Sequence, residues 1–388
     1  MRCVFAPAFT PKAILNSQGA FTTAIGIYSG RTSQGTSAVA VGNQAGYRGQ
    51  GVDSIAIGYY AGGTGQRTES IAIGAFAGQT DQSFNSVALG THAGFFGQMF
   101  DSVAIGTSAG LSGQQNYSVA LGTFAGANDQ SFNSVAVGAF AGQTRQIEKA
   151  VALGMLAGAV DQSMSAISIG PFAGQTNQYD YTIALGEQAG QKNQGMNAVA
   201  IGQEAGKLDQ GANAIAIGAQ SGGTEDGEPQ KEKAVAIGGL AGMRNQAASS
   251  IAIGYGAGQQ NQGTNSIILN ACGKFQQSTG NNSIVINGTN LQIGDLSGNV
   301  SSTGLFVAPI APATTANYLY YNISTKQITY GSGSGGGSGG TSITGSGATA
   351  GLKSGTDSTN VGAGAISLGI YAQNDNAGAD TVAIGKAA

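Results

Sequence analysis

A glycine that returns every sixteen residues limits this chain's fold more than any other feature. It stands at Gly26, Gly42, Gly58, Gly74, Gly90, Gly106, Gly122, Gly138, Gly154, Gly170, Gly186, Gly202 and Gly218; after one step of 20 the spacing resumes at Gly238 and Gly254. Its neighbours repeat with it. Ser86-Val87-Ala88-Leu89-Gly90-Thr91-His92-Ala93-Gly94 represents the set: a small residue, a β-branched residue, Ala, a large aliphatic residue, Gly, two variable residues, Ala and Gly. Five such residues read as a short strand with Val87 and Leu89 on one face and Ser86, Ala88 and Gly90 on the other. A strand with a large-apolar and a small-residue face can be buried on both sides, which a solitary solenoid in water does not require.

A period of sixteen is too short for two packed helices. Each repeat is therefore one turn of a parallel β-solenoid, or β-roll, with two short strands and two bends, about fifteen such repeats in all and the aliphatic side chains hidden. Gly90 and Gly94 mark the bends, as do Gly74, Gly106, Gly122 and Gly138 in neighbouring repeats, because glycine accepts positive φ and lets backbones come close. At roughly 4.8 Å per turn the array is a rod segment about 70 Å long. Eight residues past the glycine a glutamine recurs, among others as Gln82, Gln98, Gln114, Gln130, Gln146 and Gln162. In-register stacking predicts an amide ladder, each side chain donating to the next. The 20-residue step contains Thr224 to Lys233, the most charged stretch of the chain, which predicts a loop with Gln230 restoring the ladder behind it.

Composition narrows function by exclusion. Glycine supplies 67 of 388 residues and only 9% are charged, which without the strict register would suggest disorder. A net charge of −3 leaves no footprint for nucleic acid or an anionic membrane, and no apolar run approaches the roughly 20 residues that span a bilayer. Met1 to Pro7 is too short and too soon broken by proline for a secretory core; the expectation is another export route, no export, or a cut-away N-terminus. Cys3 and Cys272 form no ligand spacing, and the one histidine, His92, sits at a variable position and reads as a surface residue. Catalytic, cofactor and metal sites are therefore not expected, and calcium-binding Gly-Gly-x-Gly-x-Asp repeats are absent.

Aromatic residues recur at two variable positions. Phe76, Phe124, Phe140 and Phe172 lie two residues past the glycine, and Phe84, Phe100 and Phe132 ten past it. Stacked turns bring them into columns, read first as seals between neighbouring chains and second as receptor contacts, with Phe95 and Phe96 the pair least easily buried.

The chain divides into an N-terminal cap or docking segment (1–19), the repeat solenoid (20–262), degenerate capping repeats (263–303), a strand and β-hairpin (304–331), a Gly/Ser linker (332–341) and the start of a second repeat segment (342–388). In the capping repeats Asn270 and Asn287 take the glycine positions and are expected to make left-handed bends. In the last segment Ala365 to Gly369 and Thr381 to Gly385 are again 16 apart.

The Asn-Ser-Val-Ala-Leu/Val-Gly core at Asn85 to Gly90 and Asn133 to Gly138 resembles the head repeats of trimeric autotransporter adhesins, the YadA-like head. That resemblance implies a β-roll whose three chains pack about an axis. Residues 304–331 resemble a segment of fibre proteins of phages and large DNA viruses. Together these imply a homotrimeric fibre or adhesin on a virion or cell surface, able to form end-to-end filaments and contacting a host protein or glycan. The alternatives are a bacterial surface adhesin head and, in another class, an ice-binding or extracellular-matrix filament protein.

Overall fold

Sixteen residues wind one complete turn, and the turns stack in register. The computed structural model describes residues 3–5, 16–223, 228–271, 273–289, 291, 293 and 299–308, and the strands at 317–321, 328–332, 366–368 and 382–384. A first unit comprises residues 1–310 and a second residues 311–388. In the first unit a 19-stranded, wholly parallel sheet runs from Cys3–Phe5 to Leu305–Ala308, and no helix occurs among the described residues. Register is exact: Val87, Ala88 and Leu89 pair with Val103, Ala104 and Ile105, which pair with Val119, Ala120 and Leu121. A second parallel ladder, with strands such as Asn128–Gln130 and Thr144–Gln146, closes the other side of the turn.

The inside of the roll reverses one expectation. Ala88, Ala93 and Ser86 are buried while Leu89 is 41% exposed, so the small-residue face points in and the aliphatic face points out. The interior is a double column of alanine methyls, from Ala40 and Ala45 to Ala152 and Ala157, beside a column of glutamines. Volume decides this. A turn of sixteen residues, five of which bend it with positive φ, leaves no room for opposed leucines, and a close-packed interior accepts only what fits.

The widening end shows the same rule. Successive strands in register place Ala252, Ile268, Val285 and Phe306 in one column, while the step between strands grows from 16 to 17 and then 21 residues. A longer perimeter encloses more space, and larger side chains fill it. The strand Leu305–Ala308, grouped by sequence with the hairpin, is the last rung of this sheet. Asn270 and Asn287 do not make left-handed bends. They end extended strands, and their buried amides tie down the next segment: Asn270 Nδ2 donates to Lys274 O at 2.6 Å, as well as to Tyr255 O of the preceding rung at 2.8 Å, and Asn287 Nδ2 donates to Leu291 O at 2.9 Å.

The two glycines of each turn have different reasons. Gly90 has φ +133°, and a Cβ there would stand 2.7 Å from the backbone oxygen of Gly106. Gly94 has φ +53°, and its Cβ would stand 2.5 Å from Gln98 Oε1. The first glycine permits stacking, and the second admits the glutamine of its own turn. Three further positions per turn also take positive φ, as at His92, Gly97 and Asp101. No Val, Ile or Thr occupies them between Gly26 and Asn265, since β-branched residues tolerate that region worst.

In the second unit Asn317–Tyr321 and Ile328–Ser332 form an antiparallel hairpin, and Ile366–Leu368 pairs in parallel with Val382–Ile384, a register shift of 16. The charged loop at 224–227, Cys272, most of the N-terminal cap and the Gly/Ser linker beyond Ser332 lie outside the described residues.

Candidate functional site

The glutamine column lies inside, so it holds the rod together and meets no partner. Gln82 Nε2 donates to Ile71 O at 2.7 Å and Ser86 O at 3.3 Å, and reaches Gln98 Oε1 at 3.2 Å. Two N–H groups thus serve three acceptors: the strand before the bend, the strand after the next bend, and the neighbouring amide. Gln98, Gln114, Gln130, Gln146 and Gln162 repeat the two backbone contacts. Sequence reasoning found the ladder but missed these cross-ties, which need the two strands facing one another. Amide-to-amide links join Gln130 to Gln146 at 3.2 Å and Gln146 to Gln162 at 3.1 Å. Ser168, in an alanine position, bridges Gln162 and Gln178. Across the 20-residue step Gln210 links to Gln230 at 3.0 Å and Gln230 to Gln246 at 2.9 Å. The ladder is open at Gln34, Gln50 and Gln66 near its start and again at Gln114 and Gln130, whose Oε1 atoms are buried without a partner.

The outward surface of the long sheet is the candidate interaction surface. Each rung from Val39–Val41 to Leu305–Ala308 presents two aliphatic side chains outward and no charge. Ile57, Leu89, Leu121, Leu153 and Leu185 line one column at 37–44% exposure. Summed along the rod, the apolar area is on the order of 1,000 Å², beyond the few hundred Å² a monomer ordinarily leaves in one patch.

Aromatic columns border the stripe at both bends. On one side Phe76 stacks on Tyr60 (centroids 5.9 Å) and on His92 (5.0 Å, planes 2° apart), and Phe95 meets His92 edge-on at 5.1 Å. His92 is therefore a half-buried member of an aromatic stack. Phe96 packs edge-on against Phe95 and stays 50% exposed. Further along, Phe124 stacks on Phe140 at 5.4 Å. On the other side Phe84 stacks on Phe100 at 5.7 Å, while Phe132, with Asn116 and Glu148 as column neighbours, is exposed. The +2 column pays a conformational cost, since Phe76, Phe124 and Phe140 all have φ near +57°; a stacked ring column offsets it.

Charged groups keep to the periphery. Hydrogen bonds from Gln220 and Lys207 hold the Glu204 carboxyl below its ordinary value, and the adjacent Glu148 holds the Lys149 ammonium above its own. Among the described residues no three His, Cys, Asp or Glu side chains gather as a metal site, and no helix is long and apolar enough to cross a membrane. Comparison with protein-family models, curated proteins and solved structures returned no match.

Proposed function

We propose that this chain is the shaft of a structural fibre, assembled from three copies that cover one another's aliphatic stripes, which projects from a virion or cell surface and carries attachment to a host or to neighbouring fibres. The stripe carries the reading. Its side chains point away from the chain's own core from Val39–Val41 to Leu305–Ala308, and they interleave with no charge that would keep them in water. Covering the remaining exposure of two aliphatic side chains gains about 1 kcal/mol per rung, hence on the order of 15 kcal/mol gross along the rod. The alanine interior offers little hydrophobic stabilisation by comparison, so association and stability are expected to be coupled.

The number three comes from the resemblance carried by Asn85 to Gly90 and Asn133 to Gly138. Three equivalent stripes about one axis close without leaving an apolar edge. Multi-angle light scattering tests this directly: the expected mass is three times that of the chain, with rods about 80 Å long in negative stain. A monodisperse monomer at micromolar concentration overturns the proposal.

A further inference from the structure

Side chains are missing from one corner of the rod, and their absence makes a groove. Gly49 and Gly51 on one rung and Gly65 on the next occupy positions that elsewhere carry Asp129, Arg145 or Asn193 and Met99, Ile147 or Tyr179. The groove is open to solvent, has a volume of about 390 Å³ and is lined by these glycines with Gln66, Arg67, Thr68 and Phe84. Its floor is glycine backbone. One wall is the Phe84 ring, held parallel to Phe100, with the Arg67 guanidinium carbon 5.6 Å from its centroid. At the rim the Asp81 carboxylate stands over Gly65, with Oδ1 2.6 Å from where a Cβ would be. Among the described residues neither Arg67 nor Asp81 has a side-chain hydrogen bond or ion pair, so five N–H donors and a carboxylate are free for a ligand.

We propose that this groove binds a neutral pyranose sugar, which gives the attachment function proposed above a ligand class and rests on that reading. A pyranose has the required combination: C–H groups on its ring face for the glycine floor and the exposed edge of Phe84, and adjacent hydroxyls that accept from Arg67 and donate to Asp81. The opposite charges of Arg67 and Asp81 favour no ligand charge, which disfavours phosphate and acidic sugars. A peptide added as a strand needs an open backbone edge. Here the edge is closed, because Gly51 N donates to Gln66 O at 2.7 Å, Gly65 N to Arg48 O at 2.9 Å and Arg67 N to Gln82 O at 2.9 Å.

The test uses the full chain and saturation-transfer NMR with the methyl pyranosides of glucose, galactose, mannose and N-acetylglucosamine. Gly49→Asn fills the groove without breaking the fold. The nearest atom to a Cβ at Gly49 is 3.8 Å away, and Asn193 takes the same position at φ +53°. Asp209→Asn, far along the same column and still able to accept from Asn193 through its side-chain oxygen, is the control away from the groove. At least one pyranoside is expected to bind, about tenfold more weakly to Gly49→Asn and Arg67→Gln and equally to Asp209→Asn. Binding of none, binding unchanged by Gly49→Asn, or a response confined to glucuronate and inorganic phosphate overturns the proposal. Trimeric rods without a sugar signal reject the groove alone, whereas monomers reject the fibre.

Discussion

Gly94 and Gln98 form a pair whose coupling can be measured. Replacing Gly94 by alanine has two costs. A non-glycine residue at φ +53° costs about 1 kcal/mol. The new Cβ also meets Gln98 Oε1 at 2.5 Å and the amide carbon at 3.0 Å, so the amide must move. It is pinned by bonds to Val87 O at 2.8 Å and Ser102 O at 3.2 Å and by the donation it receives from Gln82. At about 1 kcal/mol each, losing these brings the total to about 4 kcal/mol. Gly97→Ala at φ +64°, with no atom within 4 Å of its Cβ, isolates the backbone cost at about 1 kcal/mol. Gly90→Ala meets backbone that cannot swing aside and should be the worst of the three. A solenoid unfolds in parts, so the assay is hydrogen exchange of the amides at Val87 to Ser102, with global melting as a check. The double-mutant cycle decides the reasoning. With Gln98→Ala in place, Gly94→Ala should cost only about 1 kcal/mol, a coupling of about 3 kcal/mol. Additive effects would show that the second glycine is not there for the amide.

Four further outcomes follow from the same contacts. Leu121→Glu combined with Leu153→Glu puts charge on the outward stripe; light scattering should show monomers with strand content retained by circular dichroism, and intact trimers would remove the stripe as the seam. Gln146→Leu keeps the volume but leaves Val135 O and Ala150 O short of a donor, a cost of about 2–4 kcal/mol read as faster local exchange. Ser168→Ala restores the consensus, and a direct Gln162 to Gln178 link can replace the bridge, so stability should change by less than about 1 kcal/mol. For pH, the depressed Glu204 contributes stability above its unfolded value that is lost as pH falls through its folded value. The raised Lys149 contributes stability below its unfolded value that is lost as pH rises through its folded value. Both groups lie at the surface, so the melting temperature should be nearly flat from about pH 5 to 9; a sharp transition inside that window would point to a buried titrating group.

By itself the sequence determined the period, and with it the parallel pairing, the strand register, the two bends and the alignment of Gln82, Gln98 and their equivalents. One residue per sixteen at each position leaves only one way to stack turns in phase. The restoration at Gln230 was legible for the same reason, because the spacing from Gln230 to Gln246 is again sixteen. Other features were present as faint signals. The lack of Val, Ile and Thr at the positions of His92, Gly97 and Asp101 marks positive φ, but only once the turn geometry is known.

Tertiary structure alone decided which face of each strand turned inward. Alternation separates Val87 and Leu89 from Ser86 and Ala88 without saying which pair is enclosed, and hydrophobicity by itself favours the larger pair. The perimeter of a sixteen-residue turn overrules it: two methyls and an amide fill the space, so the aliphatic side chains are left outside. Where the turn lengthens, at Ile268, Val285 and Phe306, large side chains return to the interior. The groove at Gly49, Gly51 and Gly65 was likewise invisible in one dimension, because it exists only where residues fourteen and sixteen apart become neighbours across adjacent rungs.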